Sequence, residues 1–146
     1  MTIPDKNLVH ITRIPIRWGD MDAMRHVNNA VYFRYMEQAR IEWFSSLDLG
    51  PDMFSGEGPV VVNVHCSFLQ QLKFPGEIEV LTYVGAPGRS SFETMCEIRR
   101  VDSPDIIVAE GGAKVVWVNY AREKSVALNP KLLAQLAQAR LPQLGA

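Results

Sequence analysis

The spacing of apolar residues changes along the chain and divides it into segments. In residues 10–18 apolar and polar side chains alternate, with Ile11, Ile14 and Ile16 on the apolar side. This pattern predicts a β-strand, and Pro15 places that strand at a sheet edge or at a bulge. Residues 19–29 are mostly polar and predict a loop.

From Val31 the apolar residues recur at helical spacing. The stripe consists of Tyr32, Tyr35, Met36, Ala39, Trp43, Phe44 and Leu47. It predicts one long amphipathic helix. Asn28 or Asn29 suits its N-cap, and Gly50-Pro51 would end it.

Four β-rich segments follow the helix and are separated by short turns. They are residues 60–72, 77–84, 91–101 and 106–120. Consecutive strands with short turns imply an antiparallel sheet, and the helix would cover one face of it. The other face would stay bare, which favours oligomerisation. Gly111-Gly112 inside the last segment marks a bulge or a sharp curve.

A second, shorter helix is expected near the end of the chain. Asn129 can cap it and Pro130 suits its first turn. Its apolar face would be Leu132, Leu133, Leu136 and Ala137. Pro142 would stop it.

Composition narrows the class of protein. The chain has 146 residues, a hydrophobic fraction of 47% and a formal net charge of -1, which fits one globular domain without a basic nucleic-acid surface. No signal peptide and no membrane-spanning apolar run is visible, so the cytoplasm is the default compartment. Cys66 and Cys96 lie in apolar strand segments and are expected to be reduced, buried thiols, with no spacing that indicates a metal site.

The segment GDMDAMRHVNNAVYFRYMEQAR, residues 19–40, carries the chemistry. It contains Asp-x-Asp at the end of a strand, then His-Val-Asn-Asn, then a helix with tyrosines and Glu-x-Ala-Arg. It resembles the hotdog-fold acyl-CoA thioesterases, in particular the 4-hydroxybenzoyl-CoA thioesterase-like group. Two positions depart from the pattern. Arg25 replaces a glycine of many members, and Met24 replaces the asparagine of the plant acyl-carrier-protein thioesterases.

The resemblance implies a fold, a substrate and an assembly. It implies an α+β hotdog fold over residues 1–146, with an antiparallel sheet of about five strands wrapped around one long central helix and a short C-terminal helix. The substrate would be an acyl-CoA, hydrolysed to a carboxylic acid and free CoA without a cofactor or metal. The chain would form a homo-oligomer with its sites between subunits, at least a dimer and by preference a homotetramer of two dimers, with no nucleic-acid or membrane partner.

Thioester hydrolysis needs a carboxylate and a stabilised oxyanion. The resemblance makes Asp22 the nucleophile or general base. Taken alone, an aspartate here would only fix the turn. Polarising amides at the helix N-terminus would be those of Arg25, His26 and Val27. The His26 side chain would bond to substrate or to Asp22, or only fix the loop.

Substrate contacts are expected from two further regions. Asn28 and Tyr32 lie at the start of the helix, although capping and core packing also explain them. Asn63 shares strand parity with His65 and would line a pocket or face a subunit interface. Arg89, Ser90 and Ser91 follow a Pro-Gly turn and suit a CoA phosphate, or form a solvated loop.

Three other functions stay open. A non-catalytic acyl-thioester binding module is motivated by Arg25 at the glycine position. An acyl-carrier-protein thioesterase would use the same chemistry on another carrier. Hydration or dehydration of an acyl thioester is the third, and it usually pairs a histidine with a carboxylate across subunits. The acyl group itself is not indicated by the sequence.

Overall fold

Six β-strands and two α-helices form the part of the chain that the computed structural model describes, residues 6–47, 49 and 55–138. The strands are β1 (Asn7–Pro15), β2 (Glu57–Phe68), β3 (Glu77–Val84), β4 (Ser91–Arg100), β5 (Ser103–Asn119) and β6 (Lys124–Ser125). The α-helices are α1 (Asn29–Ser46) and α2 (Pro130–Gln138). A 3-10 helix, Trp18–Asp20, connects β1 to the loop before α1.

The strands form one antiparallel sheet in the order β1-β3-β4-β5-β2, with β6 beside β5. This confirms the predicted α+β arrangement. β2 pairs with β5 rather than with β3, so β1 and β2 are the two edge strands. Pro15 is the last residue of β1 and lies on an edge, as predicted, whereas the register irregularity of β1 falls between Leu8 and His10.

The helix α1 packs its predicted apolar stripe against one face of the sheet. The buried stripe is Tyr32, Tyr35, Met36, Ala39, Trp43 and Phe44. Asn28 is the N-cap, because its Oδ1 accepts a hydrogen bond from the Ala30 N–H over 3.0 Å. α1 ends at Ser46, and the predicted terminator Gly50-Pro51 lies outside the described residues.

The second helix closes one end of the core. Asn129 Oδ1 accepts from the Lys131 N–H over 2.8 Å, which confirms the predicted cap. Leu132 and Leu136 are buried beside Trp43 of α1. The predicted apolar face was too wide, since Leu133 is 36% exposed and Ala137 is exposed. Pro142 lies outside the described residues. No helix in residues 6–47, 49 or 55–138 is long and apolar enough to span a membrane.

The glycine pair of β5 lies where neighbouring backbones come close. The strand register runs through Gly111 and Gly112 without a shift, so the predicted bulge is wrong at this point. A Cβ atom on Gly111 would collide with the His65 carbonyl oxygen of β2. Cys66 and Cys96 flank Gly111 in the same register row. Both thiols are free, with Cys96 buried and Cys66 half-buried.

The sheet face opposite α1 is bare only in part, because a small apolar cluster on β1, β3 and β4 is buried there. Leu8, Leu81 and Met95 are at most 2% exposed there. Lys6 Nζ lies 4.4 Å from the centre of the neighbouring Tyr83 ring. Exposed apolar surface follows β2 instead, on the residues Val60, Val61, Val62 and Val64. The unpaired edge strand therefore offers the contact surface, rather than the outer face.

Candidate active site

The loop between the 3-10 helix and α1 is a small hairpin. Met21 and Val27 form an isolated antiparallel bridge. Inside it, the Asp22 N–H donates to the His26 carbonyl over 2.9 Å, and the Arg25 N–H donates to the Asp22 carbonyl over 3.0 Å. Hairpin loops of three residues commonly end in a residue with positive φ. Arg25 fills that position with φ 63°.

This geometry explains why glycine suits the position of Arg25. A non-glycine residue in the left-handed region costs about 1–2 kcal/mol, whereas glycine adopts it without steric penalty. Arg25 accepts the strain instead of taking ordinary backbone angles. The turn therefore forms although the glycine of the resembling family is missing.

Asp20 holds the loop from the inside. Its Oδ2 accepts hydrogen bonds from the Arg17 N–H over 2.9 Å and from the Tyr35 hydroxyl over 2.7 Å. Its carbonyl accepts from the Asn28 N–H over 3.0 Å. Burial, together with the hydrogen bond to Asp20, raises the pKa of Tyr35. These contacts give Asp20 a structural role in the loop.

The two oxygens of the Asp22 carboxylate differ in their hydrogen bonding. Its Oδ1 accepts from the Met24 N–H over 2.9 Å, which closes an Asx-turn within the hairpin. Its Oδ2 makes no hydrogen bond to any described residue. The side chains of Asp22 and His26 are not hydrogen-bonded to each other in that part of the chain, so of the options for His26 the bond to Asp22 is not made. One oxygen of Asp22 thus remains available to water or substrate.

A cleft of about 320 Å³ brings the loop and the end of β2 together. From the loop side it is lined by Asp22, Met24, His26, Val27, Asn28 and Asn29. The facing wall is Phe68, Leu69, Gln70 and Gln71. Four of the predicted site residues therefore meet here, namely Asp22, His26, Val27 and Asn28. The sequence reasoning missed the facing wall, although Gln70-Gln71 directly after an apolar strand was a usable signal.

The predicted set of oxyanion amides requires a correction. The Arg25 N–H is used inside the turn, and the Val27 N–H donates to the Leu72 carbonyl over 2.8 Å. Neither is free to polarise a carbonyl. Among the cleft-lining residues that the structure describes, the backbone N–H groups of His26, Asn29 and Gln71 make no hydrogen bond. Asn29 is the first residue of α1, where the N–H has no partner within the helix.

Tyr32 lies beneath the cleft rather than on its surface. It is 2% exposed, and its ring packs edge-on against Phe68 with the ring centres 5.0 Å apart. Burial raises the pKa of its hydroxyl. Tyr32 can therefore shape the cleft only through Phe68, whose side chain separates it from the opening.

Asn63 is far from the cleft in the same subunit. It lies five residues before Phe68 on β2, roughly 17 Å at about 3.3 Å per residue. Val64 pairs with the buried Ala113 on the helix side, so Asn63 points to the opposite face of the sheet. His65 shares that face, as its parity with Asn63 predicted.

Arg89, Ser90 and Ser91 lie at the other end of the sheet. Ser91 pairs with Val116, whereas the cleft end of the same sheet has Ile98 in register with Ala109. Ile98 lies seven positions after Ser91 on β4, a distance of roughly 23 Å. Within one subunit these three residues cannot contact a substrate held at Asp22.

A larger cleft of about 610 Å³ lies between β1 and α1. Its charged side chains largely pair with each other or with neighbours. Arg13 Nη2 lies 3.1 Å from Glu79 Oε1, and Arg34 Nη1 lies 3.3 Å from Glu37 Oε1. The carboxylates that line it are each held at one oxygen by a neighbour: Glu42 lies 3.1 Å from His10 Nε2, and Asp20 accepts from the Tyr35 hydroxyl over 2.7 Å. Its size alone therefore does not make it the better candidate.

Comparison with known proteins agrees with this geometry. The family model of the thioesterase-like superfamily matches residues 16–136, most of the chain. The chain belongs to the thioesterase-like superfamily. This membership confirms the hotdog fold and the thioester hydrolase class that the sequence predicted.

Individual relatives support the same placement. PA2801 of Pseudomonas aeruginosa, a candidate thioesterase, is 36% identical over 88% of this chain and 98% of its own, with a TM-score of 0.81. XC229 of Xanthomonas campestris, a candidate acyl-CoA thioesterase, is 30% identical over 84% and 99%, with a TM-score of 0.73. YsmA, an uncharacterised protein of Bacillus subtilis, is 28% identical over 79 residues, which are 54% of this chain. The chain thus spans about half (53%) of the length of YsmA.

Proposed function

We propose that this thioesterase acts on an acyl-CoA and that Asp22 supplies the catalytic carboxylate. The observation that carries the proposal is that an open Asp22 oxygen lies at the same cleft as the open N–H groups of His26 and Asn29. The first turn of α1 adds the positive end of the helix dipole. A thioester carbonyl lying against those amides would be polarised beside the carboxylate.

Two routes fit one carboxylate. As general base, Asp22 takes a proton from water, the hydroxide attacks the carbonyl carbon, and the C–S bond breaks. As nucleophile, an Asp22 oxygen attacks first, CoA leaves as thiolate, and water then hydrolyses the resulting anhydride. Either route consumes one water and yields a carboxylic acid and the CoA thiol.

We also propose that the working unit contains a second copy paired along the β2 edge. Residues 60–64 of β2 are exposed on both faces, and an apolar edge of this length invites strand pairing. Phe68 and Leu69 belong to the same edge and to the cleft wall. A second copy on this edge would therefore border the cleft.

An antiparallel pairing of the two β2 strands would also explain how Arg89, Ser90 and Ser91 could contact a substrate. It places the Phe68 end of one β2 beside the Glu57 end of the other. Arg89, Ser90 and Ser91 share that end of the sheet with Val60, which is in register with Val116 and Ser91. The second copy's Arg89 to Ser91 turn would then approach the cleft opening, where a CoA phosphate needs a cation.

The structure removes the reason for considering a non-catalytic acyl-thioester binding module. That alternative rested on Arg25 at the glycine position, and Arg25 takes the left-handed backbone conformation that the turn requires. Hydration chemistry usually pairs a histidine with a carboxylate across subunits, and no observation of the described residues favours it. Thioester hydrolysis is the function that the cleft supports best.

The direct test is release of free thiol from a panel of acyl-CoA thioesters with short, medium, long, aromatic and hydroxylated acyl groups. Turnover of at least one member supports the proposal, and the ranking of the panel identifies the acyl group. A shift in melting temperature with acyl-CoA but no thiol release would favour a binding module. Activity only on acyl-carrier-protein thioesters would replace CoA as the carrier.

A further inference from the structure

The segment between β2 and β3 supports both ends of the loop that carries Asp22. The Ile16 N–H donates to the Gly76 carbonyl over 2.8 Å, and the Val27 N–H donates to the Leu72 carbonyl over 2.8 Å. We call residues 72–76 the support loop. The residues directly before it, 68–71, form the facing wall of the cleft. The distance between Asp22 and that wall therefore depends on how the support loop is held.

One side chain binds the middle of the support loop, that of Arg100 at the end of β4. Its Nη1 donates to the Lys73 carbonyl over 2.9 Å, and its Nη2 donates to the Pro75 carbonyl over 2.8 Å. The guanidinium group is a rigid fork of donors that can hold two carbonyl groups at once. A lysine ammonium has no such fixed geometry.

Arg100 is itself fixed in place from the opposite side. Its Nε donates to Asp102 Oδ1 over 2.9 Å, and its Nη2 also lies 3.1 Å from Asp102 Oδ2. This two-point ion pair fixes the plane of the guanidinium. Gly76 makes room for it, because a Cβ atom there would collide with the Arg100 side chain. The support loop and Arg100 are thus shaped to each other.

We propose that Arg100 is a positioning residue for the thioesterase reaction, because it keeps the support loop, and through it the Asp22 hairpin, in register with the cleft wall. This proposal rests on the proposed function. Arg100 does not line the cleft, so it acts on the reaction through the Leu72 and Gly76 carbonyl groups. Its loss should lower the rate of the chemical step more than it weakens substrate binding.

The test compares Arg100→Lys with Arg99→Lys. Arg99 is the neighbouring arginine, and it donates to the Pro104 carbonyl over 2.9 Å, away from the support loop. We expect Arg100→Lys to lower kcat at least tenfold with KM changed less than twofold, and Arg99→Lys to leave both within twofold of wild type. Asp102→Asn, which keeps Arg100 but weakens its anchor, should lower kcat by a smaller factor. Unchanged kcat in Arg100→Lys would overturn the proposal.

Hydrogen–deuterium exchange tests, without any substrate, whether Arg100 holds the support loop and the Asp22 hairpin in place. In Arg100→Lys the peptide covering residues 16–28 should exchange at least tenfold faster than in wild type, while a peptide of β3 stays protected. Faster exchange over the whole chain would indicate general destabilisation and would contradict a local positioning role. If wild type releases no thiol from any substrate, the proposed function fails, and exchange alone then decides whether Arg100 holds the loop.

Discussion

The Tyr35 hydroxyl donates a 2.7 Å hydrogen bond to Asp20 Oδ2 and so ties the second turn of α1 to the 3-10 helix. Asp20 is two residues before Asp22 in the chain. The helix that forms the core and the loop that carries the chemistry are therefore joined by one partly buried bond. Both the stability of the fold and the position of the loop depend on it.

Tyr35→Phe should destabilise the fold and change its response to alkaline pH. Losing a hydrogen bond to a carboxylate costs roughly 1–3 kcal/mol. Burial raises the pKa of Tyr35 above 10.0, so the unfolded chain loses this proton first. The stabilisation is full below about pH 10 and is lost as pH rises further. The free energy of unfolding, measured with urea at pH values from 8 to 11, should fall more steeply with rising pH in wild type than in Tyr35→Phe.

The comparison for that experiment is Tyr120→Phe. Tyr120 donates to the Pro59 carbonyl over 3.1 Å and is 38% exposed, so its removal should have a smaller effect. Parallel pH curves for wild type and Tyr35→Phe would contradict the role given to the Tyr35–Asp20 bond.

Arg25→Gly should raise the free energy of unfolding. It removes about 1–2 kcal/mol of left-handed backbone strain, and the greater freedom of glycine in the unfolded chain takes back roughly 0.4–1 kcal/mol. The net gain is about 0–1.6 kcal/mol, measured by urea unfolding. Ala23→Gly in the same loop is the control, since Ala23 does not have positive φ and should lose stability. A loss in Arg25→Gly would show that the turn differs from this geometry.

Val62→Lys should separate the proposed pair of subunits. Val62 is 55% exposed on the unpaired β2 edge, and a lysine there places like charges close together across a self-paired edge. Light scattering should show a dimer for wild type and at least a hundredfold weaker association for the variant. Ile106→Lys, at a residue 48% exposed on β5, should leave the dimer intact. A monomeric wild type would remove the two-subunit site.

Local patterns predicted much of the fold. The α1 stripe, the Asn28 and Asn129 caps and the strand segments depend on neighbours in sequence, so periodicity and capping chemistry identify them. The order of strands depends on contacts distant in sequence. Nothing in the sequence of β2 itself indicates that it pairs with β5. The glycine pair marks an unusual position in β5, but it does not reveal that the His65 carbonyl of β2 lies close to Gly111.

The candidate site divides in the same way. The hairpin from Asp22 to Asn28 is contiguous, and its motif brought those residues to attention together. The cleft wall at residues 68–71 and the hydrogen bonds of Arg100 to the support loop arise from tertiary contacts, so the spacing of residues in the sequence could not reveal them. The motif predicts free amides at Arg25 and Val27, because it does not show their acceptors, the Asp22 and Leu72 carbonyl groups.

The most direct test of the account is thiol release by Asp22→Asn and Asp105→Asn, measured on the best acyl-CoA of the panel. Asparagine keeps the size of the side chain and an oxygen for the Met24 N–H, but it cannot act as base or as carboxylate nucleophile. Asp105 is an exposed aspartate of β5, so its variant controls for the loss of one charge. We expect at least a thousandfold lower kcat for Asp22→Asn with an unchanged melting temperature, and wild-type activity for Asp105→Asn. Near wild-type turnover in a folded Asp22→Asn protein would contradict it and move the chemistry to another residue.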